Sequence, residues 1–456
     1  MSIPVQKNQI IRMDIEGLGD SGEGIGRVDG FTVFVQGGIP GDHLSVEIIK
    51  VKKQYAMGVL KQVIRPSDAR RKPSCPYAKK CGGCQMQHVN YVDQLTFKKK
   101  AVESAVTRIG KLEGVPVHEV LGMDDPYCYR NKGQYPVALG HKDKVDLGFY
   151  RQRSHDVVDV EVCELQHLSA NAVARVIRHW AKDNKITIYD EKKHKGLLRH
   201  VLVRTAHGSG AVMVVLVTKG TQVPSTNDLI KRLQEAVPGV ASLIQNINTS
   251  KGNRVLGFEN VTLWGADKIE DNIGDLTFEI SPLSFFQVNP VQTEVLYGKA
   301  LEYAALTGEE TVVDLYCGIG TISLFLAQKA KKVVGVEIIE DAILDARKNA
   351  QANGIENAEF HVGAAEEVIP KLYEEGLQAD VVVVDPPRKG CDEIVLKTIG
   401  KMRPERVVYV SCKASTMARD LRLLEDMGYK TQEVQPVDMF PWTYHVETIV
   451  ALYKKD

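Results

Sequence analysis

Thr311-Val-Val-Asp314-Leu-Tyr-Cys-Gly318-Ile-Gly320-Thr321 is the stretch whose reading decides the fold. An apolar run, Thr311–Tyr316, passes through a short glycine loop into a helical pattern, as a buried parallel strand does when it hands over to a helix. The same texture repeats outward from it. Apolar runs at Lys332–Glu337, Ala358–Val362, Asp380–Asp385 and Arg406–Ser411 alternate with helical patterns of about 10 to 15 residues. Residues 281–456 are therefore expected to form a parallel, doubly wound α/β sheet. Two further runs, Thr431–Asp438 and His445–Tyr453, turn at Pro441 and close it with an antiparallel pair.

Ligands of such sheets bind at the carboxyl ends of the strands, where a glycine lets the backbone approach them. A dinucleotide would want a third glycine and a helix N-terminus aimed at its pyrophosphate, and only Gly318 and Gly320 are present. Glu337 ends the next strand 19 residues after Gly318, where its carboxylate can accept both hydroxyls of a ribose. This combination fits S-adenosylmethionine (SAM) better than NAD. Asp385-Pro-Pro-Arg388 follows another strand, and its prolines make a rigid corner that holds Asp385 in the crevice.

Ser411-Cys412-Lys413 ends the fifth strand. A lone cysteine is usually a small buried hydrophobe, but Cys412 stands where the strand stops, and Lys413 beside it is expected to favour the thiolate. Cys317 should pack inside the cofactor loop; Cys391 opens a helix and stays a candidate by spacing. A methyltransferase needs a thiol nucleophile when its acceptor is the weakly nucleophilic C5 of a pyrimidine, and then also a base for the C5 proton. His445-Val-Glu447 supplies two candidate bases, expected on one face of the closing strand.

Residues 1–66 read as four to five short strands, Gln9–Ile15, Gly30–Val35, Asp42–Lys50 and Tyr55–Ile64 among them, which predicts a small barrel of the oligonucleotide-binding type. Gly22, Gly24 and Gly26 are expected in a tight hairpin. Residues 67–280 read as a mixed, less regular segment with strands at Ala211–Thr218 and Ser242–Asn248 and a helix at Ser169–Asp183. Nothing approaches 18 consecutive apolar residues, and Met1 to Ile11 lack a secretory pattern, so the expected compartment is the cytoplasm. In a reducing compartment, Cys75, Cys81 and Cys84 within ten residues read as ligands of zinc or of an iron–sulfur cluster rather than as disulfides.

The chain's 58 Lys+Arg balance its 58 Asp+Glu, yet Lys50 to Lys111 holds fifteen basic residues against three acidic ones, about +12. That is too lopsided for an ordinary solvated face, and it points to a nucleic-acid partner whose binding weakens with salt. Tyr127, Tyr129, Arg130 and Lys132 are further candidates for RNA contact.

Phe286-Gln287-Val-Asn289, Asp314-Leu-Tyr-Cys-Gly-Ile-Gly320, Asp385-Pro-Pro-Arg388, Ser411-Cys412 and His445-Val-Glu447 together resemble the RNA (uracil-5-)-methyltransferases over essentially the whole chain. The resemblance implies Cys412 as nucleophile, Glu447 as proton-abstracting base, and SAM contacts from Gln287, Tyr316, Glu337 and Asp385. It implies that the N-terminal barrel is a TRAM domain. Cys75-x5-Cys81-x2-Cys84 with Cys163 resembles the [4Fe-4S] signature of the 23S ribosomal RNA members, which implies a cluster in the central segment and 23S rRNA as partner. The similarity is greatest to the Gram-positive enzymes, some of which modify two uridines. One departure stands out: the family commonly follows Ser-Cys with Asn-Pro, and this chain has Lys413-Ala414, although Thr416 and Arg419-Asp420 continue the pattern. Rival readings are the same chemistry on transfer RNA, against which the first 170 residues argue, and a non-catalytic RNA-binding or assembly factor, against which Cys412 and Glu447 argue.

Overall fold

The computed structural model describes residues 3–19, 21–141 and 144–455. Its C-terminal sheet has seven strands in the order Ala358–Val362, Lys332–Glu337, Thr311–Leu315, Val381–Val384, Arg406–Ser411, Glu447–Lys454, Tyr429–Val437. The first five are parallel and the last two antiparallel, as the alternation of runs and helices implies. Val312, Val313, Val333, Val334, Val381, Val383, Val407 and Val408 are buried on both faces because helices cover both. Strand order reverses between Thr311–Leu315 and Val381–Val384, and the crevice beyond their carboxyl ends is where such sheets bind ligands.

At the N-terminus six strands form one sheet around Val33, Val35, Leu44, Val46 and Ile48. The glycine run does contain a tight hairpin turn: Gly17–Leu18 pairs antiparallel with Gly24–Ile25, and Gly22, at positive φ, donates its N–H to the Gly19 carbonyl at 2.9 Å. Gly24 and Gly26, however, lie in a strand, Gly24–Val28, which also pairs with Phe31–Gln36 through a second turn at Asp29 and Gly30, both at positive φ. Gly26 is needed inside the strand because a Cβ there would lie 2.2 Å from the Asp14 carbonyl oxygen.

The central segment is more regular than its sequence suggests. Seven strands, Lys132–Leu139 to Glu259–Gly265, form one sheet, with helices Leu168–Asp183 and Thr226–Ala236 packed on one face around Trp180. Its other face, through Leu202, Met213, Val215 and Ile244, shares a core with the Ile269–Ile280 hairpin and the C-terminal sheet. The helix Tyr91–Arg108, assigned above to the central segment, likewise packs Val102 and Val106 into the C-terminal core. No helix of the described residues is long and apolar enough to cross a membrane.

Candidate active site

One crevice of about 1390 Å³ opens at the carboxyl edge of the C-terminal sheet, and Gln287, Tyr316, Glu337, Asp385, Cys412 and Glu447 all line it. Each arrives on a strand end or the loop just beyond. Tyr316 leaves its strand at φ 69°, a left-handed conformation that swings the chain into the glycine loop. The Glu337 carboxylate accepts the N–H of Gly318 at 3.2 Å and of Ile339 at 3.0 Å. Above Gly318 the space is open, with nothing within 4 Å of where a Cβ would stand. The Gln287 carbonyl accepts Asn131 Nδ2 at 2.9 Å, and Asn289 caps the helix Pro290–Ala304 while its Nδ2 donates to the Met439 carbonyl at 3.1 Å.

The reactive end of the crevice is electrostatically unbalanced. Burial, with the charges of Glu447 and Asp385 beside it, pushes the Cys412 thiol up to about 11, and Arg388 pulls it down. Burial and Asp385 push Glu447 up to about 8, again opposed by Arg388. Asp385 itself is raised by burial to about 6. The cation that bears on the thiol is therefore Arg388 from the Asp385-Pro-Pro-Arg388 corner, and not Lys413, which caps the next helix. Of the cysteines near the strand ends, only Cys412 lines the crevice; Cys317 and Cys391 are buried. His445 also lines it, but precedes the strand Glu447–Lys454 rather than sharing its face, and burial lowers it to about 4, so its imidazole is neutral.

The Lys413-Ala414 departure has a local explanation. Ala414 is the first residue of the helix Ala414–Asp426 and Lys413 its cap, the two places where Asn and Pro are favoured. The Ser411 hydroxyl accepts the Lys413 N–H at 3.0 Å instead. Thr416 Oγ1 donates to the Arg388 carbonyl at 3.3 Å and Arg419 Nη2 to the Lys389 carbonyl at 3.0 Å, so the helix after Cys412 holds the corner that carries Arg388.

The tRNA (uracil-5-)-methyltransferase family model matches residues 209–455, more than half of the chain, and a TRAM domain model matches residues 4–61. The chain belongs to the RNA uracil-5-methyltransferase family. It is 54% identical over 450 residues to an uncharacterized RNA methyltransferase of Clostridium tetani, covering 99% of this chain and 97% of the relative. An uncharacterized RNA methyltransferase of Halalkalibacterium halodurans is 50% identical over 453 residues, 99% of each chain. The crystal structure of the Pyrococcus abyssi tRNA (uracil-54, C5)-methyltransferase with S-adenosyl-L-homocysteine superposes with a TM-score of 0.78 at 30% identity, covering 97% of this chain and 100% of the other. The N-terminal TRAM domain and SAM-dependent methyltransferase fold follow, as does SAM as cofactor. One argument of the sequence fails here: a tRNA enzyme aligns along nearly the whole chain, so the first 170 residues do not separate tRNA from rRNA as target.

Cys75, Cys81, Cys84 and Cys163 of this methyltransferase carry free thiols that act on one another. Burial pushes Cys84 up to about 12 and Cys163 up to about 11, and in both the charges of Cys75 and Cys81 add to the rise. Such a donor set wants a cation among its sulfurs, which fits a thiolate-bound metal group. Among the described residues, no three His, Cys, Asp or Glu side chains are closed to ligating geometry.

Two groups of residues bear on the site without a sequence signal. Trp442, at φ 68°, lies five residues before Glu447, and its carbonyl accepts the N–H groups of Gln85 at 3.1 Å and Met86 at 3.0 Å, directly after Cys84. Lys98 is fully buried against Asp438, Nζ to Oδ1 2.5 Å, and Tyr91 donates to the other oxygen at 2.9 Å. The segment Asp438–Trp442 that leads to Glu447 is thus held by the cysteine loop and the helix after it. Five members of the basic run are consumed in such pairs: Lys98, Arg70 with Asp42, Lys61 with Glu47, Lys99 with Glu119, and Arg65 with Asp14. Lys50, Lys52, Lys53, Lys72, Lys79 and Lys80 remain exposed. Tyr129 is core rather than an RNA contact, its hydroxyl donating to the Pro441 carbonyl at 3.1 Å, and Tyr127 stacks on Trp442. Lys132 is mostly buried and pushed down to about 7, while Arg130 lines the crevice.

Proposed function

We propose that this enzyme methylates uracil C5 in RNA through a covalent adduct to Cys412, with Glu447 as the base. The observation that carries this reading is that Cys412, Glu447, Asp385 and Arg388 line one crevice, where Asp385 adds to the rise of Glu447, both carboxylates add to that of Cys412, and Arg388 opposes both rises. The Cys412 thiolate adds to C6, and the electron pair of the C5–C6 bond gives C5 the nucleophilicity it lacks. When bound, SAM supplies an electrophilic methyl group. Glu447 then takes the C5 proton, the C5–C6 double bond reforms, and the C6–S bond breaks to return the thiolate. The uridine has to leave its stack for this, because C6 is attacked from a ring face. Glu337 is suited to the ribose hydroxyls of SAM, with Gln287, Tyr316 and Asp385 completing its site; the open space over Gly318 supports that placement.

Cys75, Cys81, Cys84 and Cys163 would hold a [4Fe-4S] cluster, which with four thiolates has a structural role. The exposed lysines of the basic run neutralise phosphates. The target we propose is 23S rRNA, on the resemblance of the cysteine set to the ribosomal members. Transfer RNA is a second reading, favoured by the full-length superposition on a tRNA enzyme. Incubation with SAM and transcripts of each RNA carrying 5-fluorouracil tests both points, since fluorine cannot leave as a proton and the adduct stalls. A denaturation-resistant adduct on one transcript, lost in Cys412→Ala, is expected; its persistence in that variant would sink the nucleophile. Visible absorption of an iron–sulfur cluster should be lost in Cys81→Ser.

A further inference from the structure

Among the exposed large apolar side chains of the described residues, two are phenylalanines, Phe258 and Phe285, and both line the crevice that contains Cys412. Phe258, at 81%, is the most exposed of all of them. It ends the loop that joins the strands Val240–Ile247 and Glu259–Gly265 of the central sheet. The loop is not slack. Asn246, fully buried, accepts the Gly257 N–H at 2.6 Å and donates to the Gly257 carbonyl at 3.1 Å and to Asn260 Oδ1 at 2.8 Å. Asn248, also buried, donates to the carbonyls of Arg254 at 2.7 Å and Val255 at 2.8 Å, and its own carbonyl accepts Arg199 Nη1 at 2.6 Å. Gly257 has no substitute, since a Cβ there would lie 1.8 Å from the Ile247 carbonyl oxygen.

Three buried polar side chains therefore fix the backbone of a loop that ends on an aromatic ring in water. A ring left to itself would fold back onto apolar surface. What meets it instead is the Arg254 guanidinium, 4.1 Å from the ring centre, a pairing of a cation and a π face in a crevice also lined by Arg130. Single-stranded RNA is recognised by bases stacked on aromatic rings and guanidinium planes while cations meet the phosphates.

We infer that Arg254 and Phe258 form a stacking platform for a nucleobase next to the target uridine in the RNA strand. The inference rests on the RNA uracil reading above. A uridine that flips out to reach Cys412 leaves its neighbour without a stacking partner, and the platform supplies one within the same crevice.

Steady-state methylation of 23S rRNA and tRNA transcripts by the full chain tests it. Phe258→Ala should raise the KM for the methylated RNA by about tenfold, the scale of one base–aromatic stack, and leave the KM for SAM in place. Phe258→Trp should keep the parent RNA KM. A short single-stranded RNA with 2-aminopurine beside a uridine should be quenched on binding the parent and not on binding Phe258→Ala. An unchanged RNA KM in Phe258→Ala, or a rise in the SAM KM instead, overturns the platform. If the parent methylates neither transcript, the functional reading fails, and the fluorescence comparison alone decides the platform: equal quenching by parent and Phe258→Ala overturns it.

Discussion

Two buried carboxylate regions lie nine residues apart along the chain and are treated in opposite ways. Asp438 is matched on both oxygens, by Lys98 and Tyr91, deep behind the crevice. Glu447, buried, and Asp385, partly buried, instead share the crevice with the Cys412 thiol: Asp385 adds to the rise of Glu447, both add to that of Cys412, and Arg388 is the cation that opposes these two rises. A matched buried charge anchors structure. An unmatched pair keeps protons it would lose in water, a poise that suits the base proposed for Glu447, while Arg388 is the group that pulls the Cys412 thiol back towards the thiolate.

The comparison breaks first if Glu447 can be neutralised without consequence. Glu447→Gln is expected to lower turnover by about 10²- to 10⁴-fold, the contribution of a positioned general base, and to leave an adduct on ordinary, unfluorinated RNA. Single-turnover assays with denaturing gels read both.

On the matched side, Lys98→Met should destabilise the fold by about 3–5 kcal/mol, because Asp438 would stay buried without its cation. Lys98→Met combined with Asp438→Asn should recover much of that loss in denaturant titrations. An equal loss in the double variant would show that packing, not charge matching, holds this region.

The unmatched side carries the opposite sign in stability. Glu447 holds its proton in the fold to about pH 8, against an ordinary value of 4.5. Its contribution is thus full below about pH 4.5 and lost as the pH rises through 8. Glu447→Gln should accordingly be more stable than the parent at pH 8, by roughly 1–3 kcal/mol, with no gain at pH 4.5. Activity should run the other way and rise with pH as Glu447 and Cys412 ionise. Arg388→Met should displace that rise to higher pH, measured as kcat against pH.

The smallest effect sits beside Cys412. Lys413→Asn restores a side-chain cap to the helix Ala414–Asp426 and should add about 0.5–1 kcal/mol, seen as a higher Tm with unchanged pH dependence.

Much of the catalytic half is legible in the sequence because its signals are local. The five parallel runs and the closing pair fall within a residue or two of the strands, since hydrophobic period and length suffice for buried strands. The crevice residues Tyr316, Glu337, Asp385, Cys412 and Glu447 are legible for the same reason: each sits at or just beyond a strand end. What is misread is long-range. Lys413 is next to Cys412 in sequence, but Arg388 is the cation that reaches the thiol. Gly24 and Gly26 look like part of a turn, and only the approach of distant backbone, Gly38 at Gly24 and Asp14 at Gly26, explains them.

The sequence by itself determined the strand and helix periods, the carboxyl-edge motifs and the family they resemble, because sterics and hydrophobic spacing act over a few residues. Tertiary structure alone decided which charges meet. Lys98 and Asp438 are 340 residues apart, and which basic residues stay exposed, which carboxylates stay unmatched, and that Phe258 and Cys412 line one crevice follow from that assembly. Coulomb and contact energies depend on distance in space, which the order of residues does not state.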